Sequence, residues 1–133
     1  MIVVASNVIA YLYLPGDFTI QAEQLLSQDA NWVAPVLWRS EFRNILTGHM
    51  RRGALTFDQA YALQLEAEDL LSGREYNIDS LDVMELVNAS ECSAYDCEFV
   101  ALAKKLGVKL ATMDKKVLRN FPERTFSLDS VSH

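Results

Sequence analysis

Residues 93–114 read SAYDCEFVALAKKLGVKLATMD, and this stretch decides the fold. Ser93 supplies N-cap chemistry, and residues 94–106 carry apolar side chains at helical spacing. Gly107 suits the left-handed position that ends a helix. Residues 108–113 are then an apolar β-type run, and Asp114 ends it. The result is one helix–strand unit that stops on an acid. Residues 115–121 follow as a short helix stopped by Pro122, and residues 125–128 read as a last strand.

The alternation continues upstream. Ile2-Val3-Val4-Ala5 is a short strand. Ser6 and Asn7 then offer N-cap chemistry to a helix ending near Tyr13. Pro15-Gly16-Asp17 is a turn, and residues 18–29 have helical periodicity with Ile20, Ala22, Leu25 and Leu26 facing inward. Trp32-Val33-Ala34 is a strand stopped by Pro35. Residues 36–51 make a long helix ended by Gly53. Thr56 caps the next, with Phe57, Ala60, Leu63, Ala67 and Leu70 in register. Ser72-Gly73 breaks it, residues 74–79 read as a third strand, and Ser80 begins a short helix to about Ala89. Strands alternating with helices predict an α/β domain: a mostly parallel sheet sandwiched between helices in three layers. One domain spans 1–129, and 130–133 is a polar tail.

The 133 residues are enough for one core without staples, and half of them are hydrophobic. No apolar run reaches the length of a membrane span. The apolar start MIVVASNVIAYLYL lacks a basic leader and a small-residue cleavage site, so it reads as mature structure and the expected compartment is the cytoplasm. Cys92 and Cys97 fit no zinc spacing and read as small buried thiols. His49 and His133 pair with no nucleophile. The net charge of −6 disfavours nucleic acid through the global field, so any such partner needs a local basic patch. Arg39, Arg43, Arg51 and Arg52 form one candidate, and Lys115, Lys116 and Arg119 another. Solvated helix faces are the alternative.

Three acids stand where an acid is unexpected. Glu66, Glu68, Asp69, Glu75, Asp82, Glu85 and Glu123 lie on polar faces or in turns, where solubility explains them. Glu41 has Leu37, Trp38 and Ile45 as helical neighbours, so it lies on an apolar stripe where a lone carboxylate is costly. An arginine salt bridge, or a carboxylate reaching out to the edge, is the alternative. Asp96 shares a stripe with Phe99, Val100 and Ala103, although a first-turn acid also suits the helix macrodipole. Asp114 is an N-cap candidate for the helix after it. It also ends a strand, as Ala5-Ser6-Asn7 does, and open parallel sheets bind ligands beyond such ends. If the three acids meet, each like-charge pair about 4 Å apart costs roughly 4 kcal/mol at an effective dielectric near 20. All-oxygen donors point to a hard ion, Mg²⁺ or Mn²⁺, and such ions promote phosphodiester hydrolysis.

These residues resemble the PIN domain, and within it the VapC-type ribonuclease toxins of toxin–antitoxin pairs. The resemblance covers essentially the whole chain. It rests on residues 2–11 (IVVASNVIAY), 40–46 (SEFRNIL), 93–104 and 110–118. It implies a parallel sheet sandwiched by helices and Mg²⁺- or Mn²⁺-dependent cleavage of RNA. It assigns Glu41, Asp96 and Asp114 as metal-holding catalytic acids, with Ser6, Asn7 and Thr112 in support. Arg39, Arg43, Lys115 and Lys116 are the candidates for RNA phosphates. A cognate antitoxin and a homodimer are the implied protein partners, with Tyr11, Tyr13 and Trp38 as possible contacts or as core. Ala5 departs from the pattern, because the family's first acid belongs there. Either a substitution silences the enzyme or the natural protein is a degenerate, silent binding module. The intact surroundings favour the first. A phosphoryl-accepting receiver domain would need an acidic pair after the first strand, where this chain has Ala5-Ser6.

Overall fold

Val3 and Val4 have no exposed surface, and Ile2 has almost none, so the first strand is covered on both faces. Such burial calls for helices above and below a parallel sheet. The computed structural model, which describes residues 1–131, has that architecture. The elements run β1 (Ile2–Val4), α1 (Ser6–Tyr13), α2 (Thr19–Gln28), β2 (Trp32–Pro35), α3 (Trp38–Arg51), α4 (Phe57–Leu70), β3 (Glu75–Tyr76), α5 (Ser80–Asn88), α6 (Ala94–Leu106), β4 (Leu110–Ala111), α7 (Lys115–Asn120) and β5 (Thr125–Phe126). The five strands lie in the order β3-β2-β1-β4-β5, and every pair is parallel.

That order places the helices. Right-handed crossovers that step from β1 to β2 to β3 put α1–α4 on one face. The return from β3 to β4, and the step on to β5, put α5–α7 on the other. The packing agrees: α1 lies on α2 and α3, α3 on α4, and α6 crosses β1, β2 and β4 beneath α5. The strand order reverses between β1 and β4, so the carboxyl ends of these two strands flank the switch point of the sheet.

Several local expectations hold for their stated reasons. Thr56 and Gln59 form a reciprocal capping box on α4. Ser93 Oγ accepts from the Asp96 N–H, and Gly107 ends α6 at φ 68°. Others shift. The strands expected over 74–79 and 108–113 pair only across Glu75–Tyr76 and Leu110–Ala111. The ladder stops where the chain turns toward loops and the crevice. Pro35 lies within β2, as its last residue. Ile20 is exposed and only Ala22 and Leu25 of α2 are fully buried, because the helix packs along a narrow strip. Phe57 is also exposed. α4 turns Ala60, Gln64 and Ala67 inward instead, and the two small alanines let it approach α3. Trp38 is fully buried, and Tyr11 and Tyr13 are partly covered, so all three serve the core. A 3-10 turn over Leu128–Ser130 carries the fold to Val131, which is buried. The rest of the expected tail, 132–133, lies outside the described residues, as does His133.

Candidate acidic crevice

Residues from both sides of the switch point line one crevice of about 450 Å³. Ala5, Ser6 and Asn7 come from the exit of β1, and Thr112 and Asp114 from the exit of β4. Two bonds hold these exits together. The Ala5 N–H donates to the Ala111 carbonyl at 2.9 Å, and Asn7 Oδ1 accepts the Met113 N–H at 3.2 Å. Glu41 enters from the first turn of α3 and Asp96 from the first turn of α6. The three acids expected to converge therefore do line the same cavity. Four helices (α1, α3, α6 and α7) begin at this end of the sheet, and their N-terminal dipoles favour negative charge there.

Glu41 is half-buried, and among the described residues no arginine forms an ion pair with it. Ser6 donates its hydroxyl to Glu41 Oε1 at 2.7 Å. Burial pushes the Glu41 carboxyl up from its usual range. The Ser6 hydrogen bond opposes this, and the charges of Asp96 and Glu98 add to it. Ser6 is thus not the expected N-cap of α1 but its first helical residue, with its side chain committed to Glu41. Asp96 is raised first by burial and then by the charge of Asp114, while Ser93 hydrogen bonds and Lys116 pull it down. Asp114 does cap α7: its Oδ1 accepts from the Lys116 and Val117 N–H groups at 2.9 and 3.2 Å. The cap occupies one oxygen, so a place in the crevice is compatible with it. Thr112 Oγ1 accepts the Asp114 N–H at 3.1 Å and fixes the turn that presents the acid.

Ala5 occupies the N-cap position of α1 in extended backbone, and no side chain caps that helix. Among the described residues, no three His, Cys, Asp or Glu side chains form a ready-made metal-binding group. The all-oxygen donor set suits a hard cation, and the mutual repulsion of the acids is what a cation would relieve.

The expected phosphate contacts divide. Arg39 is committed elsewhere: its Nε and Nη2 donate to Glu75 at 2.6 and 2.7 Å, and its Nη1 to Glu68 at 3.1 Å. Trp38 Nε1 also donates to Glu75, at 2.8 Å. Glu75 and Glu68 therefore tie α3 to β3 and α4, a role that their reading as surface solubility missed. Arg43 lines a second cavity, between α3 and α4. Lys115 and Lys116 are exposed beside Asp114, and the charge of Lys116 reaches Asp96. Glu98, Ser40 and Asn44 were not singled out from the sequence. Glu98 is raised by burial and acts on Glu41, and the other two line the crevice. No local signal marks them, since each is an ordinary polar residue on an amphipathic helix.

The fold and the crevice together define an all-parallel α/β domain with an acid-lined cleft at its switch point. Residues 2–123 match the PIN domain, and the chain belongs to that family. It is 34% identical over 124 residues to Ribonuclease VapC3 of Pyrobaculum aerophilum, covering 91% of this chain and 95% of that protein. Among solved structures it resembles FitAcB from Neisseria gonorrhoeae, with a TM-score of 0.76 and 19% identity over 98% of this chain and 99% of that one. It also resembles PAE2754 from Pyrobaculum aerophilum, with a TM-score of 0.77 and 15% identity over 97% of this chain and 91% of that one. A third likeness is to FitAB bound to a DNA fragment, with a TM-score of 0.74 and 18% identity over 100% and 99% of the two chains. The PIN fold expected from the sequence, and the likeness to VapC-type ribonucleases within it, are borne out.

Proposed function

We propose that this chain is a VapC-type endoribonuclease toxin whose activity depends on Mg²⁺ or Mn²⁺ and is impaired here by Ala5. The observation that carries this reading is the meeting of Glu41, Asp96 and Asp114 in one crevice at the switch point. The 34% identity to Ribonuclease VapC3 supports the same chemistry. Glu41, Asp96 and Asp114 would hold the ion. When bound, a divalent ion supplies an activated water and neutralises charge at a phosphodiester. The chain's own groups do the rest. Ser6 keeps Glu41 oriented and opposes the rise of its carboxyl. Thr112 and the α7 cap fix Asp114. Lys115 and Lys116, with Arg43 further out, offer charge to the RNA backbone, while Arg39 acts structurally through Glu75.

The natural setting of such an enzyme is the cytoplasm, held inactive by a cognate antitoxin and paired as a homodimer. Among the described residues no helix is long and apolar enough to cross a membrane. Ala5→Asp tests the reading. The restored chain should cleave cellular RNA with Mg²⁺ or Mn²⁺ and lose the activity in EDTA. An Ala5→Asp chain that cuts no RNA would sink the proposal. The absence of a ready-made metal-binding group keeps a second reading open, a silent binding module that uses the same crevice. That reading gains if calorimetric titration finds no Mn²⁺ binding even after Ala5→Asp.

A further inference from the structure

Three neutral side chains on the crevice walls have no task in the arrangement above: Tyr95, Asn44 and Ser40. Tyr95 is the informative one. It lies in the first turn of α6, next to Asp96, and is 63% exposed. Several other large apolar side chains are exposed, including Ile20, Phe57, Leu81 and Met84. Among the described residues, Tyr95 is the one of this group that lines the crevice. Its ring packs on no other aromatic, and its hydroxyl makes no hydrogen bond among the described residues. Asn44 is exposed on α3, one turn past Glu41, and its amide is also unpaired. Tyr95 and Asn44 thus flank the acids from the helices of opposite sheet faces.

Glu41, Asp96 and Asp114 repel a phosphate backbone. Lys115, Lys116 and a bound cation would offset that repulsion, and attraction that does not depend on charge would add to theirs. A free aromatic face stacks on any base, and a carboxamide hydrogen-bonds a base edge. A base inside a duplex has its faces stacked and its pairing edge occupied. An unpaired base offers both.

We infer that Tyr95 stacks on an unpaired base beside the cleaved phosphate, and that Asn44 hydrogen-bonds the edge of that base. This assignment rests on the nuclease reading of the same site.

The test reads binding apart from cleavage. A fluorescein-labelled single-stranded oligoribonucleotide and its duplex are titrated with the chain in magnesium buffer, with RNA integrity checked on a denaturing gel. Tyr95→Ala should weaken single-strand binding about tenfold, the range expected for one lost base stack. Tyr95→Phe should keep the affinity, and neither change should alter duplex binding. Equal single-strand affinity for Tyr95→Ala and the parent overturns the assignment, as does a parent that binds no single strand. Weaker antitoxin binding with RNA binding intact would also overturn it, by making the ring a protein contact. Tyr95→Trp gives a second readout, because Trp32 and Trp38 are fully buried and the new indole is the exposed one. Its emission should be quenched by saturating RNA, and unquenched emission counts against stacking. The two readings fail separately. No cleavage after Ala5→Asp removes the nuclease reading. Cleavage after Ala5→Asp that Tyr95→Ala leaves at the parental KM removes only the stacking role.

Discussion

Glu41 accepts one hydrogen bond from Ser6, and this bond opposes the burial that raises its carboxyl. Hydrogen bonds to charged groups contribute about 1.5–3 kcal/mol. Glu41 is only half-buried, so Ser6→Ala should destabilise the chain by the lower part of that range, roughly 1.5–2 kcal/mol in urea unfolding. It should also move the Glu41 carboxyl further up, as read by carboxyl-carbon NMR titration. Asp96 carries a different signal. Its carboxyl and that of Glu41 are both held above the ordinary range, chiefly by burial. The folded chain thus binds more protons than the unfolded one, from the ordinary carboxylate value up through the raised folded values. Their contribution to stability is fullest below that window and is lost as pH rises through it. Asp29 and Glu75 are lowered, so their contribution fades only at more acid pH. Lowering the pH from neutral toward the ordinary carboxylate range in EDTA should raise Tm. Asp96→Asn should flatten this slope and stabilise the chain at pH 7 by roughly 0.5–2 kcal/mol, the usual gain when a functional strain is removed.

Elements position these residues more than they stabilise them. α1, α3, α6 and α7 all begin at the carboxyl end of the sheet, which turns four helix starts into one electropositive rim. α3 is held in place by Glu75 from β3, which accepts two bonds from Arg39 and one from Trp38. β3 is a two-residue edge strand, so this anchor supplements a short ladder. Glu75→Gln keeps the shape but removes the charge, and should shift the urea midpoint by the equivalent of about 1–2 kcal/mol. Caps were readable from sequence at Thr56, Ser93 and Gly107, because their partners lie within one turn. The inward faces of α2 and α4 were misjudged at Ile20 and Phe57. An apolar residue on a helical stripe says nothing about whether a neighbour covers it.

At the scale of the whole molecule, Ala5 stands at the exit of β1, beside the switch point of the sheet. It leaves α1 without a side-chain cap. An aspartate there would cap the helix, worth about 1 kcal/mol, and would add a fourth negative charge. In EDTA these effects oppose each other, so Ala5→Asp should change Tm little. In millimolar Mn²⁺ the Ala5→Asp chain should gain Tm while the Ala5 chain gains less, because a ligand that binds only the folded state stabilises it by mass action. Equal Tm gains in both chains, read by calorimetry, would show that position 5 does not complete an ion site.

The sequence by itself determined the alternation of strands and helices, the caps and the family pattern, since these depend on residues near one another in the chain. It also placed Glu41 on an apolar stripe. It left Asp96 divided between a crevice and a helix dipole, and Asp114 divided between a crevice and a cap. The tertiary structure brings all three to one cavity and shows that the cap and the crevice coexist at Asp114. It assigns Ser6 to Glu41 across 35 positions and Arg39 to Glu75 across 36. It also leaves Tyr95 uncovered at the mouth of the crevice. Such pairings are fixed by the crossing of elements from opposite faces of a sheet, and no local spacing encodes that crossing.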